Sequence, residues 1–435
     1  MSDAHPSFAE ATRLWFKVGC LGFGGPAGQI ALMHRLVVDE RKWVGEAQFL
    51  HALNFCMLLP GPEAQQLATY IGWLLHGVRG GLVAGILFVL PGFCVILALS
   101  AAYAAFGQLP WLMGVFFGLK CAVIALVAEA LWRVAKRALK QPMHVVVAVL
   151  AFLALFVFRI PFPIVILAAA IIGFGMARRS NGAVISDIDE KILEQSAKAP
   201  RPFRTVAIGA ALWLGPIALL ALILGSGQIF PQMGWFFAKM AVVTFGGAYA
   251  VLAYVAQQAV QSYGWLSTGN MIDGLALAET TPGPLILVLS FVGFYAAHQQ
   301  PGALAPMLAG TLGAIFVTWV TFVPSFILIF LGAPYVERLR RNRYLSGALA
   351  MVTAAVVGVI ANLALWFALH VLFRDVREVP LGIATLTWPE WRSTDLVAIA
   401  LSIAAGLALL HWRVNLVKVL LATGVIGYLA HTAIS

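Results

Sequence analysis

The chain has 435 residues, 61% of them hydrophobic and 11% charged, with a formal net charge of +10. Apolar runs of about 20 residues, the length that crosses a hydrocarbon core, recur about a dozen times; this excludes a soluble globular domain and predicts an all-α, polytopic membrane protein. A transmembrane β-barrel is excluded because segments of about 10 residues with alternating polarity are missing, and the basic residues sit at the ends of apolar runs, which predicts no nucleic-acid partner.

The chain opens with MSDAHPSFAEATRLWF. This stretch has neither the basic head nor the cleavage site of a signal peptide, so the first membrane segment is expected to be kept. That segment carries Lys17 and then Phe23-Gly24-Gly25-Pro26. An amphipathic connector through Trp43 leads to Pro60-Gly61-Pro62 and Glu63, and a long span containing Pro91 follows. The next span, 111–131, has Lys120 near its middle, where snorkelling is a poor option, and it ends in Arg133, Lys136, Arg137 and Lys140. The four cysteines lie in apolar sequence without a Cys-x-x-Cys pair and read as small buried hydrophobes. The histidines have no helical metal-ligand spacing, so no metal or other cofactor is expected.

From residue 234 the same order restarts. FAKMAVVTFGGAYA matches FKVGCLGFGGPAGQ at an offset of 222, which carries Phe23 to Phe245, Gly24-Gly25 to Gly246-Gly247, Lys17 to Lys239, Trp43 to Trp265 and Pro60 to Pro282. Further on, FVLPGF and FVPSF match at an offset of about 233. A duplicated unit is the reading: an N-terminal transmembrane repeat over 1–178, a hydrophilic linker with one extra membrane helix over 179–233, and a C-terminal transmembrane repeat over 234–435.

Three basic loops, at Arg133–Lys140, in the linker and at Arg338–Arg343, are expected on the cytoplasmic side, with the N-terminus. Keeping them there requires the PGP segment to cross once, as a broken helix, and assigns loop 259–270 to the inside. The two repeats are then inverted about an axis in the membrane plane.

Irregular backbone at membrane depth is tolerated only where it is buried or lines a cavity, so the FGG and PGP breaks mark a site. Pro62 and Pro284 suit the start of new half-helices, whose N-termini attract anions. The expected substrate-binding set is Lys17, Phe23, Gly24, Gly25, Pro26, Pro60, Gly61, Pro62, Lys120, Lys239, Phe245, Gly246, Gly247, Thr281, Pro282, Gly283 and Pro284. Glu63 and Glu279, beside the two PGP triplets, are candidates for carrying a coupling proton. Lys17 and Lys239 have a competing reading as snorkelling residues, and Lys120 as the partner of a buried carboxylate. Paired aspartates, a Ser/His dyad and an HExxH pattern are all missing, so no catalytic residue and no enzyme are predicted.

The segments GFGGPAGQIALMHRLVVDERKWV, LLPGPEAQQLATYIGW and ETTPGPLILVLSFVGF resemble the signature segments of the chromate ion transporter family, in particular its long-chain, two-domain members. The resemblance covers nearly the whole chain. It implies a bacterial inner-membrane protein that exports chromate with coupling to the proton motive force. By the same resemblance Gly24, Gly25, Pro26, Pro60, Gly61, Pro62, Glu63, Gly246, Gly247, Pro282, Gly283 and Pro284 match the family's recurring motif positions. Ala248 stands where the first repeat has Pro26, and Leu285 where it has Glu63, so the repeats are expected to contribute unequally. A sulfate-like oxyanion importer and an anion channel are the alternatives; whether the chain forms a homodimer in the bilayer is left open.

Overall fold

The computed structural model describes residues 6–23, 25–107, 109–179, 202–245, 248–332, 343–382 and 384–434. Gly24, Gly246, Gly247, most of the linker and the basic segment around Arg338–Arg341 lie outside the described residues.

The first half contains α1 (Phe8–Leu21), α2 (Gly25–His34), α3 (Glu46–Cys56), α4 (Glu63–Phe106), α5 (Pro110–Ala138), α6 (Pro142–Phe156) and α7 (Phe162–Arg179). The extra helix α8 (Pro202–Leu224) precedes the second half. That half contains α9 (Ile229–Val243), α10 (Ala248–Gln257), α11 (Thr268–Thr280), α12 (Val288–Gln299), α13 (Pro306–Gly332), α14 (Arg343–Leu372), α15 (Leu396–Gly406) and α16 (Leu416–Ile434). Between α14 and α15 it adds a hairpin of β1 (Val376–Leu381) and β2 (Ala384–Pro389), the one departure from an all-α chain among the described residues. Among those residues six helices are long and apolar enough to cross a membrane: α4, α5, α7, α8, α13 and α14.

Local chemistry explains the ends of several elements. Ser7 and Glu10 form a reciprocal capping box that starts α1, and Asp395 accepts from the amides of Val397 and Ala398 to start α15. Pro62 and Pro284 are the caps that open α4 and the short 3₁₀ turn leading into α12, as their fixed φ predicts. Within α4 the backbone leaves helical geometry at His76-Gly77, and the chain folds back on itself so that Gly72 packs on Gly80 and Ala84.

Side-chain contacts order the helices from end to end. Phe330 and Phe326 of α13 pack on Gly81 and Gly85 of α4, so these two long helices run antiparallel. Arg133, Lys136 and Arg137 close α5 at one end of the bundle, hereafter the basic end. The α4–α5 turn and the β-hairpin lie at the opposite end.

This order corrects the expectation of broken spans. In α11 and α12, Gly274 faces Phe291, and the Tyr103 ring touches both Phe291 and Tyr295 while its hydroxyl reaches Asn270 and Asp273. The PGP segment of the second half therefore enters from the opposite end, turns at mid-depth and returns to that end. Loop 259–270 lies beside Tyr103, not at the basic end where the crossing count put it. The first half has the same arrangement from the other side: Phe55 of α3 packs on Tyr70 of α4, and His76 accompanies Phe8 and Pro6 at the start of α1. The count failed because it took 235–258 as a crossing too; α9 and α10 also double back, with Tyr263 and Trp265 returning beside Phe236 of α9, and losing both crossings leaves the parity even.

Several backbone details of the first half recur in the second at fixed offsets. A π-turn follows α2 at Arg35–Glu40 and another follows α10 at Gln258–Ser262. The bond from Trp43 N to Val37 O recurs as Trp265 N to Ala259 O, both pairs 222 apart. Beyond the β-hairpin the difference becomes 254: Ile160 N donates to Ala154 O, and Val414 N to Ala408 O.

Candidate functional site

At mid-depth the two halves exchange hydrogen bonds through their breaks. The Gly61 amide donates to Thr244 O at 2.8 Å, and the Gly283 amide donates to Gly22 O at 2.9 Å. Both glycines have positive φ, 122° and 90°, which carries the chain through a turn that an L side chain resists. Each turn also rests on the opposite half's long span, with Gly92 against Pro282 and Ser325 against Gly61. The PGP triplets are thus joints between halves. Their glycine amides are spent on carbonyls of the opposite half.

Polar side chains gather unequally around the joints. Buried Gln29 donates from Nε2 to Gly22 O and Gly283 O, and Gln66 donates to Pro60 O at 2.7 Å. The corresponding residues of the second half, Val251 and Val288, are buried and apolar.

A cavity of about 1070 Å³ runs from the basic end to the FGG breaks. Gly25 and Pro26, the first turn of α2, line its floor together with Tyr249 of α10 and Glu279 of α11. Tyr249 donates to the Glu279 carboxylate at 2.8 Å, so the carboxylate is held in place at the inner limit of the cavity. Arg133, Lys136 and Arg137 of α5 and Arg413 of the α15–α16 turn supply four cations, against the carboxylates Glu129 and Glu279. Glu129 is taken up by an ion pair with Arg133, and Lys136 lies over the Trp132 ring at 4.9 Å. A net positive lining that ends on a helix N-terminus favours a multivalent anion.

Lys120 is held elsewhere. Its Nζ lies 2.9 Å from Asp273 Oδ1, while Tyr103 donates to Oδ2 at 2.8 Å, which ties α5 and α4 of the first half to α11 of the second. A carboxylate this buried needs such partners, and the pairing accounts for the lysine at this depth. Of the two readings offered for Lys120, the structure realises the ion pair.

The remaining expected residues scatter. Lys17 and Lys239 are exposed on the exterior of their helices and line no cavity described here. Phe23 is exposed and Phe245 half-buried. Pro60, Gly61, Pro62, Pro282, Gly283 and Pro284 belong to the joints, and the Thr281 hydroxyl donates to Ala278 O of its own helix. Glu63 sits in the first turn of α4, within electrostatic reach of Arg137, and is not part of the cavity wall. Asp273, Tyr103 and Tyr249 were missed from the sequence. A signal was available for the first: between residues 195 and 336, Asp273 and Glu279 are the only acidic residues.

The chromate transporter family profile matches residues 9–174 and 231–428. The chain belongs to the chromate transporter family. It is 30% identical to a chromate transport protein of Pseudomonas aeruginosa over 430 residues, covering 97% of this chain and 92% of that one. It is 28% identical to a probable chromate transport protein of Synechococcus elongatus over 361 residues, 82% and 84% of the two chains. A chromate transport protein of Cupriavidus metallidurans is 27% identical over 377 residues, 86% and 84%. No solved structure matches the chain. As a member of this family the protein is a helical, membrane-spanning transporter and not an enzyme.

Proposed function

We propose that the protein exports chromate, a tetrahedral dianion, across the bacterial inner membrane by alternating access, driven by the proton motive force. The observation that carries this reading is the cationic cavity that meets the first turn of α2 and ends on Glu279 and Tyr249. The basic end faces the cytoplasm in this reading, in line with the positive-inside rule, and the N-terminus lies on the same side. The two halves act as inverted repeats that rock about the PGP joints; the recurring backbone bonds at fixed offsets support this division. Chromate enters the cavity, is drawn by Arg133, Lys136, Arg137 and Arg413, and settles at the α2 N-terminus. Glu279 carries the exchanged proton, because its carboxylate can approach the dianion only when neutral.

The test is labelled chromate flux in proteoliposomes of the purified protein, with an imposed pH gradient and sulfate as competitor. Saturable flux that responds to the gradient is expected, with the gradient response lost in Glu279→Gln. Linear flux indifferent to the gradient and to sulfate would replace the transporter with a channel. An unchanged pH dependence in both Glu63→Gln and Glu279→Gln would remove the carboxylates from coupling.

A further inference from the structure

The cavity at the basic end has a small counterpart at the opposite end. Along α14, at the offset of 233, Asn362 stands for Glu129 and Trp366 for Arg133. In the α6–α7 turn, at the offset of 254, Arg159 stands for Arg413 of the α15–α16 turn, and both arginines have φ of 51°. Arg159, Asn362 and Trp366, with Gln257 at the end of α10 and Gln261 in the turn after it, line a cavity of about 40 Å³. The same framework thus encloses a wide space at one end and a nearly closed one at the other.

The closing element is the part that only the second half possesses. Residues 139–141 join α5 to α6, whereas 373–395, including β1 and β2, join α14 to α15. The hairpin leans on the first half at the small cavity. Thr387 lines that cavity, Glu378 accepts from Arg159 at 2.7 Å, and the Thr385 amide donates to Val157 O at 2.9 Å.

We propose that this small cavity is the second oxyanion vestibule, with Arg159 as its charged ligand, and that the β-hairpin keeps it shut through the Arg159–Glu378 pair. It takes the same chemical class as the basic cavity, a tetrahedral divalent oxyanion. The guanidinium fork binds a carboxylate or an oxyanion in the same two-point manner, so the substrate competes with Glu378 for Arg159. The amide groups of Asn362, Gln257 and Gln261 and the Trp366 indole supply neutral donors. A single arginine, in place of four cations, makes this vestibule the weaker binder, which suits release. The proposal rests on the transporter reading given above.

Two measurements on the full-length protein test it. In nanodiscs without any anion substrate, the rate of maleimide labelling at Asn362→Cys, corrected for the native cysteines, is expected to rise about threefold when Glu378→Gln is added, the scale of a partly exposed ion pair. An unchanged rate overturns the latch. In proteoliposomes, oxidising Val157→Cys/Thr385→Cys to a disulfide is expected to stop chromate flux, and reductant to restore it, which distinguishes locking from misfolding. Flux that continues through the fully oxidised protein overturns the vestibule. Labelling requires no substrate, so a parent protein that moves no chromate would defeat the proposed function while leaving the latch to be decided on its own result.

Discussion

After the PGP turn of the first half come Glu63, Gln65 and Gln66; after that of the second half come Leu285, Leu287 and Val288. The backbones nonetheless turn alike, each with a glycine of positive φ donating to a carbonyl at the opposite half's FGG break. What both halves keep is the turn, the joint and the returning helix. What differs is the polarity of the side chains around them. Two halves that turn alike can therefore hold a site made once, with cations from one half's α5 and a carboxylate from the other half's α11.

The buried ion pair is the sharpest place to break this comparison. Lys120 and its counterpart Thr353 occupy matching positions, yet Lys120 pairs with Asp273 while the Thr353 hydroxyl donates to Leu349 O of its own helix. Lys120→Met strands a buried carboxylate and is expected to cost about 3 kcal/mol or more. Thr353→Val is expected to stay within about 0.5 kcal/mol. Thermal unfolding in detergent reads both, and the double variant Lys120→Met/Asp273→Leu should recover most of the loss. A Lys120→Met protein as stable as its parent would show that the pair does not hold the halves together.

The joints give a second, smaller contrast. Gly92 and Ser325 correspond, but a Cβ on Gly92 would lie 2.2 Å from Pro282 O. Gly92→Ser is therefore expected to destabilise by about 2 kcal/mol, whereas Ser325→Gly is expected to be mild. Equal melting temperatures for the two variants would mean that the joints are looser than the contacts imply.

The vestibules sharpen the comparison in function. Arg413→Gln removes one cation from the wide cavity and is expected to raise the KM for chromate from the basic side about tenfold, the cost of one charged hydrogen bond. Glu129→Gln frees Arg133 and is expected to shift KM the other way. A KM that ignores both would move the substrate out of this cavity.

How much of this was legible depended on whether the feature lived in the main chain or between elements. The FGG and PGP breaks, the long apolar spans and the 222 offset were readable because glycine, proline and hydropathy act locally. The doubling-back of the PGP segments was not, since a half-length apolar helix that returns and one that crosses have the same composition, and contacts between distant residues such as Gly274 against Phe291 and Tyr103 against Tyr295 tell them apart. The pairing of Lys120 with Asp273 joins residues more than 150 positions apart, beyond any periodicity. Arg133 and Arg137 were read as topology markers although they also line the cavity, because the positive-inside rule alone accounts for basic residues at a helix end.

Lys17 and Lys239 close the argument from the other direction. They are the one charged pair that the 222 offset preserves, which made them attractive as substrate ligands. Both are exposed, six residues before the Phe of an FGG segment. Each can run its long apolar stem along the helix surface and reach the nearer headgroup layer. Lys17→Gln and Lys239→Gln, singly or together, are accordingly expected to change stability by no more than about 0.5 kcal/mol and to leave chromate flux within twofold of the parent at about that energy scale. A tenfold loss of flux in either variant, with melting unchanged, would place that lysine on the substrate's path and move the site outward from the cavity.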